Sequence, residues 1–196
     1  HNIPCTAIDA AGNSESCTVT VIVLADLFPS VTCVGDQSKS ANSGACSYTV
    51  SGTEFNATST SGGATLTFVT SPVLAVKPNS PSSLAGAVFP FGTTLVTWTA
   101  SQTIDGKVYS NSCSFYVFVD DNELPVITPQ ANINTTTNSG CYATVSLGTP
   151  TRADNCGVYD YWNNAPSSYP IGTTNVTWWI RDIHGNSSSA VQKVTV

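Results

Sequence analysis

Apolar and polar residues alternate along the long apolar segments of the chain, as in 18–21 and 114–117. A period of two is typical of a β-strand with one face buried. Glycine and proline recur at intervals that leave room for strands, and no capped stretch has long helical periodicity. The pattern therefore predicts an all-β protein. Short strands with turns every 8–12 residues or so indicate immunoglobulin-like β-sandwiches.

The chain also contains an internal repeat. Segment 89–99 reads FPFGTTLVTWT, and segment 169–179 reads YPIGTTNVTWW. Asn-Ser-Gly followed by cysteine likewise occurs at both 42–46 and 138–141. A repeat of this size indicates tandem modules, which usually span, display or bind.

Acidic, proline-ended connectors follow two of the apolar strands and set the module boundaries. We predict module one at 1–24, module two at 25–121 and module three at 122–196. The last two have ordinary domain size. Module one contains only a closing hairpin, so the prediction is a partial module followed by two tandem sandwiches.

The hairpin of module one has predicted strands at 3–8 and 18–23. A two-stranded hairpin is marginally stable alone, and its edges can pair with other strands. Three interpretations stay open: the remnant of a longer chain, a hairpin docked on module two, or a strand donor that builds a polymer. Because the chain begins at His1 and has no methionine, we expect it to be processed or partial.

The seven cysteines sort by module. Cys33 and Cys113 lie on the first and last strands of module two, and both matching positions in module three lack cysteine. This correlation predicts a Cys33–Cys113 disulfide. Such a bond stabilises by roughly 2–4 kcal/mol and forms in an oxidising compartment.

The other cysteines give two further candidate pairs. Module three has Cys141 and Cys156, and module two has nothing opposite Cys156, which predicts a Cys141–Cys156 disulfide. A Cys5–Cys17 bridge across the hairpin is a further candidate. Cys46 is then left free or joined to another chain.

Composition narrows the classes of function. The net charge is −6, and only 6 residues are basic. Scattered basic residues do not form a phosphate-binding stripe, so we expect no nucleic-acid partner. Apolar runs are too short for a membrane span, and abundant serine and threonine with sparse charge favour an extracellular location. Four sequons are candidate glycosylation sites: Asn56, Asn134, Asn175 and Asn186.

We find no catalytic motif: the nucleophile elbow, P-loop and zinc-protease signatures are all missing from the sequence. The histidines, His1 and His184, lack zinc-ligand spacing. His184 lies in a predicted hairpin turn, where we expect a solvated side chain. We therefore predict no catalytic residue, no cofactor and a non-enzymatic protein.

The acidic linker between modules two and three gives one metal hypothesis. Asp120, Asp121 and Glu123 could bind calcium, which takes six to eight oxygen ligands, and a turn acid such as Asp182 could face the next joint in a stack. The competing interpretation is a solvated linker stiffened by Pro125.

The tryptophans separate into two groups. Trp98 and Trp178 hold the same strand position, which predicts packing in the core of each sandwich. Trp179 points to the opposite face by alternation. A cluster follows Cys156 and could cover a sheet face or a neighbour, or stack on sugar: Tyr159, Tyr161 and Trp162.

These residues resemble a known family. The segments 7–21, 89–97 and 154–156 and the linker 121–125 are similar to motifs of the hyalin repeat, or HYR domain. The resemblance implies immunoglobulin-like sandwiches in tandem, as in extracellular adhesion proteins and secreted bacterial surface proteins, without catalytic residues.

Module two departs from this pattern between 51 and 87. It lacks the Asp-Asn-Cys turn and carries serine-rich segments at 58–63 and 77–83 instead. We expect a modified strand region and a surface loop there, which offers a candidate contact surface.

Together these features predict a structural segment of an extracellular fibre or adhesin. We expect its partners to be copies of itself stacked head to tail, with cell-surface glycans or proteins as further candidates. The alternative is a carbohydrate-binding or accessory module of a larger secreted enzyme.

Overall fold

A computed structural model describes residues 2–20, 27–78 and 80–196. Its regular elements in these ranges are all strands. The hairpin has β1 (Asn2–Ile8) and β2 (Ser14–Thr20). Module two has β3 (Gln37–Ser40), β4 (Ser47–Thr49), β5 (Thr65–Ser71), β6 (Val88–Pro90), β7 (Gly92–Ile104) and β8 (Lys107–Asp120). Module three has β9 (Val126–Thr128), β10 (Ile133–Asn134), β11 (Tyr142–Ala143), β12 (Thr151–Ala153), β13 (Val158–Asn163), β14 (Tyr169–Pro170), β15 (Thr173–Asp182) and β16 (Ser187–Thr195).

The two full modules share one topology. Their four-stranded sheets run β3-β8-β7-β5 and β10-β16-β15-β13. In both, the first strand pairs in parallel with the last, while the other pairs are antiparallel. Smaller pairs, β4-β6 in module two and β11-β14 and β12-β9 in module three, complete them. This is the all-β, immunoglobulin-like sandwich that the alternating pattern predicts.

Each module has its own hydrophobic core. Trp98 is fully buried in module two, and Trp178 is 5% exposed in module three, so both pack inward as predicted. The core of module two consists mainly of Val50, Phe55, Leu74, Leu84, Phe89, Val96, Trp98, Phe115, Val117 and Val119. That of module three consists of Ile127, Tyr169, Val176, Trp178, Ile180 and Val194.

The hairpin is exposed on both faces. β1 and β2 pair in register with Cys5 opposite Cys17, although the two sulfurs are not bonded. Asp9 closes the turn, because its Oδ1 accepts hydrogen bonds from the backbone N–H groups of Ala11 and Asn13. The predicted end of the second strand, at 21–23, lies outside the described residues.

The disulfides differ from the prediction in one pair. Cys33 is bonded to Cys113, the pair that the sequence predicts. Cys156 is bonded to Cys46 of module two, so the Cys141–Cys156 pair is wrong, as is the expectation for Cys46. The reason is distance within module three, because Cys141 lies beside the start of β15 and Cys156 beside its end. A ten-residue strand separates them by about 30 Å.

None of the described residues belongs to a helix long and apolar enough to cross a membrane.

Candidate functional site: the joint between modules two and three

Five segments meet where module two ends and module three begins. Module two contributes the loop 42–46, Phe91 between β6 and β7, and the linker that follows β8. Module three contributes the turn 154–157 before β13 and the turn 182–186 between β15 and β16. The first turn precedes β13 and the second connects β15 to β16, and these strand ends face module two. Strand topology therefore places both turns at the joint.

A disulfide crosses the joint. Cys46 and Cys156 are bonded, with 4.7 Å between their Cα atoms. Asp154 shapes the turn, because its Oδ1 accepts hydrogen bonds from the backbone N–H groups of Cys156 and Gly157. Gly157 has φ of 122°, in the region that favours glycine. The Asp-Asn-Cys motif therefore builds a rigid turn that presents a cysteine to the preceding module.

The linker residue Asp121 is the centre of the hydrogen-bonding at the joint. It is only 6% exposed. Its Oδ1 accepts hydrogen bonds from the Asn155 side chain and the Glu123 backbone N–H, and its Oδ2 lies 3.1 Å from Nδ1 of His184. Burial by itself raises the pKa of this carboxyl, but the three hydrogen bonds outweigh that effect and hold the pKa below its ordinary value.

The turn 182–186 docks on this linker. Asp182 Oδ1 accepts hydrogen bonds from the backbone N–H groups of His184 and Asn186. The Asn186 side chain then donates one hydrogen bond to Asp182 and another to the backbone carbonyl of Asp121. Asp182 is 1% exposed, so this turn is part of the buried joint.

His184 is not the solvated turn residue that the sequence predicts. Its side chain is 14% exposed, and its ring lies against the ring of Phe91 with centroids 3.6 Å apart. The histidine therefore joins the two modules through one ring contact and one contact with Asp121. Its position in a hairpin turn could not reveal this, because the contacts come from the other module.

The predicted metal ligands are not brought together. Asp120 is exposed, whereas Asp121 is turned into the joint. Glu123 Oε2 accepts a hydrogen bond from the backbone N–H of Gly44. The carboxylates of Asp120, Asp121 and Glu123 therefore do not converge within the described residues, and calcium binding by this set stays a prediction. The linker is not simply a solvated one either.

A different group of carboxylates does converge. One oxygen each of Asp121, Asp154 and Asp182 lies within 4.8 Å of the others. Oδ2 of Asp154 and Oδ1 of Asn155 are buried without a hydrogen-bond partner in the described structure. These four residues are the ones that could hold a cation at the joint, since carboxylate and amide oxygens suit calcium. The sequence signal that points to Asp182 is the Asp-x-x-Gly-Asn turn, which module one repeats at 9–13.

A second feature lies on the outer face of module three. Trp162 and Trp179 are cross-strand neighbours, with ring centroids 6.1 Å apart and planes inclined by only 15°. Trp162 is 46% exposed. Asp160 and Arg181 form an ion pair beside them, while Tyr161 stacks on Trp178. Trp179 therefore points to the outer face, as alternation predicts.

The four sequons fall into two pairs. Asn134 and Asn175 are exposed on strands β10 and β15. The Asn56 side chain donates to Ser83, and that of Asn186 donates into the joint. A glycan on Asn186 would replace one of the two N–H groups that it donates, and Asn56 is part-buried against Ser83. Asn134 and Asn175 are therefore the more accessible candidates.

The chain is similar to a curated protein and to several solved structures. No family model matches the chain. Hyalin of Strongylocentrotus purpuratus is 33% identical over 196 residues, a match that covers 96% of this chain and 15% of Hyalin. Among solved structures, the protocadherin gammaB7 EC3-6 cis-dimer matches all of this chain and 58% of its own, at 13% identity and a TM-score of 0.42. Fibronectin(III)-like modules of Clostridium thermocellum CbhA match 85% of this chain and 94% of their own, at 16% identity and a TM-score of 0.30.

The chain thus spans a small part of the length of its curated relative. A match at 33% identity that covers 96% of the chain shows the family. The chain therefore consists of hyalin-repeat-like domains.

Proposed function

We propose that the chain is a segment of an extracellular fibre or adhesin, built from stacked immunoglobulin-like modules and without enzymatic activity. Its role is mechanical: reach, attachment or assembly. The observation that carries this proposal is the joint, where a disulfide, a ring contact and a set of buried hydrogen bonds connect the end of one module to the start of the next.

Such a joint suits a load-bearing role. A covalent Cys46–Cys156 link keeps the modules together when non-covalent contacts open. The contacts around Asp121 and His184 limit bending, because both side chains are largely buried. Disulfides persist in oxidising surroundings, which supports an extracellular location.

The hairpin supports an assembly role. Among the described residues β1 and β2 pair only with each other and both faces are exposed, so their outer edges offer backbone groups to a neighbouring chain. The turn at Asp9 already has the hydrogen bonds that the Asp182 turn makes in the joint. We therefore propose that the hairpin contacts another copy head to tail.

Electron microscopy of the native material, taken before any refolding, tests the proposal. Fibres with a regular axial repeat, or extended rods, are the expected result. Compact particles about as wide as they are long would contradict it. A variant lacking residues 1–24 should lose fibres if the hairpin mediates assembly, and fibres that persist in it would overturn that role.

Glycan binding is a second candidate function, favoured by the stacked Trp162–Trp179 pair. An exposed aromatic ring such as that of Trp162, supported by the nearly parallel ring of Trp179, can stack on a sugar. The Asp160–Arg181 pair beside them offers hydrogen-bonding groups. Binding to a glycan array, lost in Trp162→Ala and kept in Tyr142→Ala, would support it. The Tyr142→Ala variant is the matched control because Tyr142 is also exposed but lies on β11, outside the sheet that carries the pair. An array with no signal for the unmodified chain would exclude this candidate.

A further inference from the structure

Module two contacts module three through the end that carries Cys46 and Phe91. The corresponding end of module three has the same strand pairing. In module two, Ser47 pairs with Pro90, which places Cys46 beside Phe91. In module three, Tyr142 pairs with Pro170 in the same register. That register places Cys141 beside Ile171 as Cys46 lies beside Phe91.

The loops before these strands are also built alike. Asn42 Oδ1 accepts a hydrogen bond from the backbone N–H of Thr49, and Asn138 Oδ1 accepts one from Thr144. In each loop the glycine, Gly44 or Gly140, has a positive φ. We call the surface formed by 138–141 and Ile171 the tail face of module three. Backbone, register and cysteine position therefore all match the face that binds module three.

The two faces differ in what covers them. Cys46 is bonded across the joint, and Phe91 is covered by His184. In the tail face, Cys141 is exposed and unbonded within the described structure, and Ile171 is 67% exposed. The tail face therefore has a cysteine and an apolar side chain in the positions that Cys46 and Phe91 hold in module two, and within the described structure both are exposed.

We infer that the tail face of module three docks a further hyalin-repeat-like module, and that Cys141 forms a disulfide with the cysteine of that module's Asp-Asn-Cys turn. This inference rests on the proposed stacking function. The partner turn cannot be the one at 154–156 of the same chain, because Cys156 is already bonded and lies at the other end of module three.

The chemistry of bond formation is thiol–disulfide exchange. A small or protein disulfide oxidant accepts the two electrons: one thiolate attacks it to form a mixed disulfide, and the second thiolate then displaces it. The new sulfur–sulfur bond joins the two modules, and the oxidant leaves as two thiols carrying the two protons.

The test is disulfide mapping of the native protein, purified without reductant and with its free thiols blocked by iodoacetamide. After proteolysis, mass spectrometry should find the Cys141 peptide linked to a peptide that contains Asp-Asn-Cys. The Cys46–Cys156 peptide pair in the same digest is the internal control for preserved disulfides. The sequence around the linked turn shows whether the partner module belongs to the same polypeptide or to another.

Three results would overturn the inference: Cys141 alkylated as a free thiol while Cys46–Cys156 is intact, Cys141 linked to Cys5 or Cys17, or Cys141 linked to a peptide without the motif. A second readout uses Cys141→Ser, which should remove the reductant-sensitive linkage. Cys17→Ser is the matched control, because Cys17 is also exposed, and it should leave the linkage unchanged.

The test separates this inference from the proposed function. Fibres in which Cys141 is alkylated would contradict the proposed disulfide at the tail face, but they would still support the fibre role. A linked Cys141 in compact, non-fibrous particles would contradict the fibre role and leave the docking face standing.

Discussion

Modules two and three bury a tryptophan at the same point of the same strand pair, yet they satisfy its indole N–H differently. Trp98 donates to the backbone carbonyl of Phe55, whereas Trp178 donates to the side chain of Gln192. Gln192 occupies the strand position that Phe115 holds in module two, opposite a valine in each case. Module two therefore fills this place with an aromatic ring, and module three fills it with a buried amide.

The disulfides of the two modules also differ. Module two is closed internally by Cys33–Cys113, where module three has Pro129 and Ala190. In module three it is Cys156 that forms a disulfide, and it bonds outward to Cys46 of module two. The comparison shows that one sandwich topology can be stabilised from within by apolar packing and a disulfide, or by a polar network and its neighbour.

The largest effect is expected from removing the shared tryptophan. Trp98→Ala and Trp178→Ala should each destabilise their own module by about 3–5 kcal/mol, because each leaves a large cavity in a packed core. Denaturant unfolding measures the loss. Trp179→Ala is the control, and it should change stability by no more than about 0.5 kcal/mol because its ring is on the outer face. If the Trp98→Ala variant is as stable as the wild-type protein, Trp98 does not contribute to the core of module two.

The second-largest effect is expected from removing the disulfide inside module two. Replacing both Cys33 and Cys113 by alanine should destabilise module two by roughly 2–4 kcal/mol, chiefly because the unfolded chain gains freedom. Hydrogen exchange resolved along the sequence should show faster exchange in β7 and β8 and little change in β15 and β16. Equal acceleration in both modules would show that they unfold as one unit and that the comparison does not hold.

A smaller effect is expected at Gln192. Its side chain also donates to the carbonyls of Ala131 and Leu147, so Gln192→Leu leaves the buried Trp178 indole N–H and two part-buried carbonyls without this partner. We expect a loss of about 1–3 kcal/mol in thermal or denaturant unfolding. Phe115→Leu is the matched change in module two, and it leaves no polar group unpaired. If Gln192→Leu is neutral, the buried amide is not what stabilises module three.

The sequence predicted most of what happens inside a module. Alternation at 114–117 marked part of β8, the repeated segments 89–99 and 169–179 marked β7 and β15, and the repeated tryptophan position identified the inward face of those two strands. Comparing one module with the other identified the Cys33–Cys113 pair. These features depend on local periodicity and on repeats, which a sequence displays directly.

Contacts between modules were not predictable in this way. Pairing cysteines by their presence within one module cannot detect Cys46–Cys156, since the partners lie in different modules. Asp121 and His184 appeared solvated for the same reason, because each is buried by the other module. The signal that was available was the repeated Asp-x-x-Gly-Asn turn at 9–13 and 182–186, which marks the end of a module that faces its predecessor.

The smallest effect concerns pH at the joint. The pKa of Asp121 is held below its ordinary value in the folded protein, so its contribution to joint stability is present above the unfolded pKa of about 3.9 and is lost as pH falls through the folded value. We expect protonation to weaken the joint by roughly 1 kcal/mol, the scale of one such hydrogen bond. The rate at which a phosphine reductant cleaves Cys46–Cys156 measures the opening. It should rise about fivefold relative to Cys33–Cys113 between pH 5 and a pH about one unit below the folded pKa, since about 1.4 kcal/mol corresponds to a factor of ten.

Asp121→Asn separates this effect from general acid unfolding. The amide cannot ionise, so the variant should show faster cleavage at pH 5 and little further change on acidification, while Cys33–Cys113 reports on module two in both proteins. A wild-type rate ratio that stays constant with pH would mean that the Asp121 carboxylate does not stabilise the joint. A ratio that rises equally in Asp121→Asn would assign the acid sensitivity to other groups. In either case the joint would depend on its disulfide and on the Phe91–His184 contact, and module three would be stabilised by its neighbour through those two links.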